Sequence, residues 1–103
     1  MTGVQTCALP ILLAESRKII DEVDRKIVEL LNDRTSAVEN IGKAKEAAGL
    51  AVYEPKREDA VYLNVVTHNQ GPMPADALRR IFERIMDEMR TLQRMRRSGD
   101  DKC

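Results

Sequence analysis

The sequence predicts an all-α fold: three helices, the N-terminal one very long, assembled as an intertwined homodimer. Three observations carry this expectation. Charged residues make up 33% of the 103 residues, set among Ala, Leu, Ile and Met, a composition of helix formers. Gly (5) and Pro (4) are too few for the turns of an all-β chain. From Leu12 to Ala48 there is no proline and Gly42 is the only glycine. That stretch of about 36 residues would run roughly 54 Å at 1.5 Å per residue. A compact monomer of this size is only roughly 33 Å across, so the overshoot needs a covering partner, and a second copy of the helix supplies one.

The first eleven residues, MTGVQTCALPI, hold no charge, unlike the rest of the chain. They lack the basic start and the cleavage site of a secretory signal. They resemble the translation of a common sequencing-library adapter, and residues 1–11 are expected to be a non-native leader. The domain proper is expected over 12–97. Its first helix stops at Gly49, a natural C-terminal residue. Gly49-Leu50-Ala51-Val52-Tyr53 then forms a loop. Pro55 suits the first turn of a second helix, capped by Glu54 and running to His68. Asn69-Gln70-Gly71-Pro72 breaks the chain again. Pro74 opens a third helix that reaches Arg97, and residues 98–103 read as a disordered polar tail.

Composition narrows the function. Lys+Arg and Asp+Glu both number 17, for a net charge of 0 with signs interspersed. That argues against nucleic acid and against a polybasic membrane contact. No apolar run is long enough to span a bilayer. Three aromatics (Tyr53, Tyr62, Phe82) and no Trp provide no stacking platform. The two cysteines, Cys7 and Cys103, sit in the leader and at the last residue, and His68 is the only histidine. A disulfide framework, a zinc site and a Ser-His-Asp triad are therefore not expected. The cytoplasm is the expected compartment.

The apolar seam of the first helix is more informative. Steps of four and three give Leu13, Arg17, Ile20, Asp24, Ile27, Leu31, Arg34, Val38, Ile41 and Lys45. Six positions are aliphatic, so the seam is real, yet four are charged. Long side chains can snorkel from a seam edge, with Asp24 pairing an arginine. One Asp cannot neutralise three cations, however, and an unpaired buried cation costs several kcal/mol. A small dianionic ligand would balance the remainder, and the arginine fork suits a carboxylate. In the second helix Arg57 lies in a first turn, where the macrodipole disfavours cations. Glu58 falls on the face continued by Val61, Tyr62 and Val65, and can point inward. On the third helix the stripe is Leu78, Phe82, Ile85, Met89 and Leu92, with Gln93 on its border.

From Leu12 to Gln93 this pattern resembles the all-helical class of chorismate mutases. The motifs are Arg17, then Leu30-Leu31-Asn32-Asp33-Arg34, Ile41-Gly42-Lys43-Ala44-Lys45, Glu54-Pro55-Lys56-Arg57-Glu58, and Gln93 late in the third helix. The resemblance implies a Claisen rearrangement of the dianion chorismate to prephenate, in phenylalanine and tyrosine biosynthesis. It needs no nucleophile, no metal and no organic cofactor. It implies that Lys45 and Gln93 are catalytic, as donors to the ether oxygen, with Lys45 also touching a carboxylate. Arg34 and Arg57 would bind carboxylate, and Arg17 would reach into the partner subunit's site. Glu58 would take the substrate hydroxyl, helped by backbone near Glu54.

The chain departs from the family pattern at Glu54, where Asp is frequent, and at Met89, where relatives can carry a small polar residue. Some relatives have Glu in place of Gln93. Two other readings compete. One is an isochorismate–pyruvate lyase on the same scaffold, the other a non-enzymatic helical dimerisation module. The domain could equally stand at the N-terminus of a bifunctional enzyme.

Overall fold

The computed structural model describes residues 2–98, with side chains from residue 9 onward. Cys7's side chain, Cys103 and the expected tail after Ser98 lie outside the described residues. Three helices follow in order: α1 (Thr2–Ala47), α2 (Pro55–His68) and α3 (Ala75–Arg97). The all-α expectation holds, with the first helix by far the longest. The chain divides into two compact units, residues 1–36 and 37–103.

The first unit is a single helical stretch. Helix begins at Thr2 rather than at Leu12 and includes Pro10. A proline removes one backbone donor and crowds one carbonyl, while the Ala, Leu and Gln around it favour helix. The unit displays its seam to the outside: Leu13, Ile20 and Ile27 are all exposed, as are Arg17 and Asp24. Arg34 is half-buried.

The second unit contains the end of α1 and all of α2 and α3. Gly49 ends α1 as expected. Its φ of 71° is open to glycine, and two bonds close the end: Gly49 N–H to Glu46 O at 3.1 Å, and Leu50 N–H to Lys45 O at 2.7 Å. Lys45 lies in this last turn, where a cation complements the macrodipole. Pro55 takes the first turn of α2. Glu54 occupies the cap position in extended conformation but makes no side-chain cap bond; its carboxylate goes elsewhere, as described below. In the next loop Asn69 accepts from Gly71 N–H at 3.0 Å and donates to Met73 O at 2.9 Å. Pro74 caps α3 instead of opening it, with Ala75 the first helical residue. Asp76 in the first turn and Arg94, Arg96 and Arg97 in the last complement the dipole of α3.

α2 packs on α3. The expected stripe of α3, Leu78, Phe82, Ile85, Met89 and Leu92, is half-buried, and Met86 beside it is buried. From α2 comes the buried Val61, flanked by half-buried Glu58, Tyr62 and Val65. Arg79 stacks over the Tyr62 ring at 4.1 Å.

Candidate active site

Among the described residues Gln93 is a buried polar residue, 9% exposed. Its α3 position, seven residues after Met86, is two helical turns along the buried face. Its Nε2 donates to Val38 O on α1 at 3.2 Å. An amide nitrogen carries two N–H groups, so one donor is fixed by α1 and the other is left for an incoming acceptor. Gly42 lies beside this approach and leaves room for a Cβ but for little beyond it. A Cβ at residue 42 would stand 3.4 Å from Gln93 Cγ and 3.5 Å from its Nε2. In α1 Gly42 is also the residue whose N–H bonds to the Val38 carbonyl, the same oxygen that Gln93 uses. The sequence put Gln93 only on the border of the stripe; its burial follows from packing against the α1 backbone around Gly42.

Lys45 follows Gly42 by three residues and therefore shares its face of α1. Its side chain is 12% exposed. Nζ donates to Val52 O at 3.0 Å and pairs with Glu54 Oε1 at 2.6 Å. The seam arithmetic missed this anion, because Glu54 comes from the following loop and not from α1. Part of the charge imbalance read along the helix is thus met within the chain. Glu54 itself is 53% exposed and free to turn outward.

Glu58 points inward as its helical face requires, 19% exposed, and pairs with Arg90 of α3. Arg90 also pairs with Asp87, one turn earlier. The hydrogen bond to Glu58, set against the cost of burial, holds the Arg90 guanidinium above its ordinary range. Nothing in the helical pattern alone marked Arg90, since its partner lies 32 residues away.

Two hollows flank these groups. One of about 210 Å³ is bordered by Gly42, Lys43, Leu92, Gln93, Arg96 and Arg97. Nε and Nη2 of Arg97 are buried without a hydrogen-bond partner. The other, of about 490 Å³, is bordered by Tyr53, Glu58, Asp87, Arg90, Thr91 and Arg94. Of the sequence-predicted residues, the second unit thus brings Lys45 and Glu54 together and sets Gln93 on the same α1 face. Glu58 opens into the larger hollow, and Arg57 is exposed. Arg17 and Arg34 belong to the first unit. Among the described residues no group of His, Cys, Asp and Glu could hold a metal ion, and no helix is long and apolar enough to cross a membrane.

Gln93 borders the smaller of these two hollows and Glu58 the larger, while Lys45 borders neither and is held by Glu54 and Val52 O; a cation, an amide donor and a carboxylate acceptor are the groups that a small hydroxylated anion would call for. Comparison with known proteins points the same way. Residues 16–94 match the family model described as chorismate mutase type II. A bifunctional chorismate mutase/prephenate dehydratase of Neisseria gonorrhoeae is 37% identical over 83 residues, 81% of this chain and 22% of that protein. A chorismate mutase of Methanocaldococcus jannaschii is 40% identical over 50 residues, 48% of this chain and 50% of that protein. The chain therefore spans no more than half the length of these two relatives. The solved structure of chorismate mutase (form II) from Thermus thermophilus superposes with a TM-score of 0.77 at 33% identity, covering 80% of this chain and 93% of that one.

Proposed function

Since the chain belongs to the chorismate mutase type II family, we infer that it is an isomerase converting chorismate to prephenate, working as a homodimer in the cytoplasm. The observation that carries this most directly is Gln93, a buried amide held at 3.2 Å to Val38 O with a second N–H to spare.

The reaction is a unimolecular rearrangement of a dianion. The C–O bond breaks ahead of C–C bond formation, and negative charge grows on the ether oxygen. The protein has two tasks: to hold the extended substrate in a reactive chair and to set donors at that oxygen. Gln93 supplies its spare N–H there at any ordinary pH. Lys45 supplies a second donor and meets a carboxylate. It reaches substrate by exchanging its Glu54 partner, which is exposed enough to leave. Arg34 and Arg57 bind carboxylate within the subunit. Glu58 accepts the substrate hydroxyl near the backbone of Glu54. Arg17 comes from the other subunit. The exposed aliphatic residues of this seam, Leu13, Ile20 and Ile27, support a partner helix, because such apolar area along one helix is costly to leave in water. A dimer brings each Arg17 to the neighbouring site.

The deciding test is loss of chorismate in the presence of purified protein, with isochorismate as the second substrate. Subunit mixing then tests the shared site. Arg17→Ala and Lys45→Ala are each expected to be nearly inactive. Mixed in equal amounts and allowed to exchange, they should regain about a quarter of wild-type activity, since half the dimers then hold one intact site of two. No recovery from a mixture shown to form heterodimers would place Arg17 within its own subunit's site and overturn that assignment.

A further inference from the structure

Arg90, the partner of Glu58, and Asp87, a second partner of Arg90, have no part in the roles assigned above. Arg90 Nη1 donates to Glu58 Oε2 and Nη2 to Asp87 Oδ1, so both arms of the fork end on carboxylates. The Tyr53 ring lies 5.3 Å from the same guanidinium. Arg90 and Glu58 are 21% and 19% exposed, whereas Arg84 and Glu88 on the same helix form a pair in open solvent. A solvated pair fixes neither partner, while one at this depth fixes both.

We propose that Arg90 is a positioning residue for Glu58, its fork engaging Oε2 and leaving Oε1 to accept the hydroxyl of the bound dianion. This rests on the role given to Glu58 above and deepens it. Two physical requirements support it. A guanidinium N–H on Oε2 fixes the plane of the carboxylate, and with it the direction in which the lone pairs of Oε1 can accept a hydroxyl. A bare carboxylate would also repel a doubly negative substrate. With Arg90 beside it, Glu58 keeps its acceptor oxygen while part of its charge is offset, Asp87 taking the other arm of the same cation. Asp87 and the Tyr53 ring hold Arg90 from its other sides.

The hydroxyl keeps its bonds throughout the rearrangement, so a better-placed Glu58 strengthens binding of substrate and transition state alike. The effect belongs in KM. Arg90→Met is expected to raise KM about ten- to a hundredfold, the range of one charge-assisted hydrogen bond, with kcat changed less than about threefold. In a Glu58→Gln background the same replacement should cost less than about threefold, because its route of action is gone. Arg90→Lys, which keeps the charge and loses the fork, should fall between. A KM unchanged in Arg90→Met overturns the proposal, as does an equal rise in both backgrounds. Should Arg90→Met lose its helical circular dichroism, Arg90→Lys decides: a wild-type KM there makes Arg90 a purely structural residue and ends the proposal. Wild-type protein runs in the same assay. Its failure to consume chorismate would strike the enzyme assignment itself, whereas active wild type with an uncoupled cycle strikes only Arg90.

Discussion

Gly42 offers the sharpest test of how the amide donor is held. Within α1 a glycine is disfavoured against alanine by about 0.8–1.0 kcal/mol. A Cβ there would meet Gln93 Cγ at 3.4 Å and Nε2 at 3.5 Å, ordinary contact distances that require no movement. Gly42→Ala should therefore stabilise the protein by about 1 kcal/mol, raising Tm by roughly 4–8 °C at fixed protein concentration, with kcat within about threefold of wild type. Gly42→Val differs. Its methyl groups extend about 1.5 Å beyond Cβ, and a β-branched residue in a helix has essentially one χ1 choice. A methyl directed at Gln93 would come to roughly 2 Å, far inside the 3.5–4.0 Å of a normal carbon contact. The amide must then swing aside and give up Val38 O. A misplacement near 1 Å can cost about 10²-fold, and loss of one such donor about 10²–10³ in rate. Chorismate turnover and thermal unfolding on both variants check this, with circular dichroism confirming helix. A Gly42→Val protein with wild-type kcat would refute the idea that the limited space at this point places Gln93.

Three further outcomes follow from the same contacts. Lys45→Ala removes a donor and leaves Glu54 without its partner; chorismate turnover should fall at least 10²-fold while sedimentation matches that of the wild type, and an unaffected rate would remove Lys45 from catalysis. Wild-type activity should not collapse between about pH 5 and 8, because an amide needs no proton to donate, whereas Gln93→Glu must be protonated to do so and should be strongly impaired at about pH 8; equal activity there would contradict a donor role. Tyr62 is pushed above its ordinary 10.0, first by burial and then by Glu83, against the pull of Arg79. A group whose folded value is raised lends stability that is complete below the unfolded value and disappears as pH climbs through the folded one. Ultraviolet titration of a Tyr53→Phe variant should thus show a midpoint above 10, with Tm falling as pH rises beyond it, and a midpoint at or below 10 would refute the burial argument.

Most of the fold was legible because helix signals are local. Gly49, Pro55 and the Asn69–Pro72 break stand where the helices end or begin, and the stripe Leu78 to Leu92 faces the core. The start of α1 was less legible, since Pro10 and an uncharged leader look like an interruption while a single proline still permits helix. At the site, inward-facing Glu58 could be read from its register with Val61 and Val65. The partners could not. Glu54 reaches Lys45 across a loop, Arg90 meets Glu58 from another helix, and Gln93 packs against a glycine 51 positions earlier. A periodicity places a residue on a face; it says nothing of which face lies opposite.

These long-range partners bear on how a chain of zero net charge would bind the doubly negative substrate proposed for it. An empty pocket of bare cations would be costly to bury, and salt would fill it. Here the cation expected at the ether oxygen carries Glu54, and the carboxylate expected at the hydroxyl carries Arg90. The two pairs differ in depth. Glu54 is 53% exposed and leaves with little loss of solvation, so its exchange for a substrate carboxylate keeps Lys45 neutralised throughout. Arg90 is 21% exposed and pinned by Asp87, so it stays in place and the substrate must fit around it. One pair is built to exchange and the other to hold. Replacing Glu54 should accordingly strengthen binding of a dicarboxylate that carries a hydroxyl, because the internal competitor for Lys45 is gone, while replacing Asp87 should weaken it by loosening Arg90 and with it the Glu58 acceptor for that hydroxyl. Isothermal titration of Glu54→Gln and Asp87→Asn with such a dicarboxylate would show opposite shifts in Kd, and shifts of the same sign would dissolve the distinction.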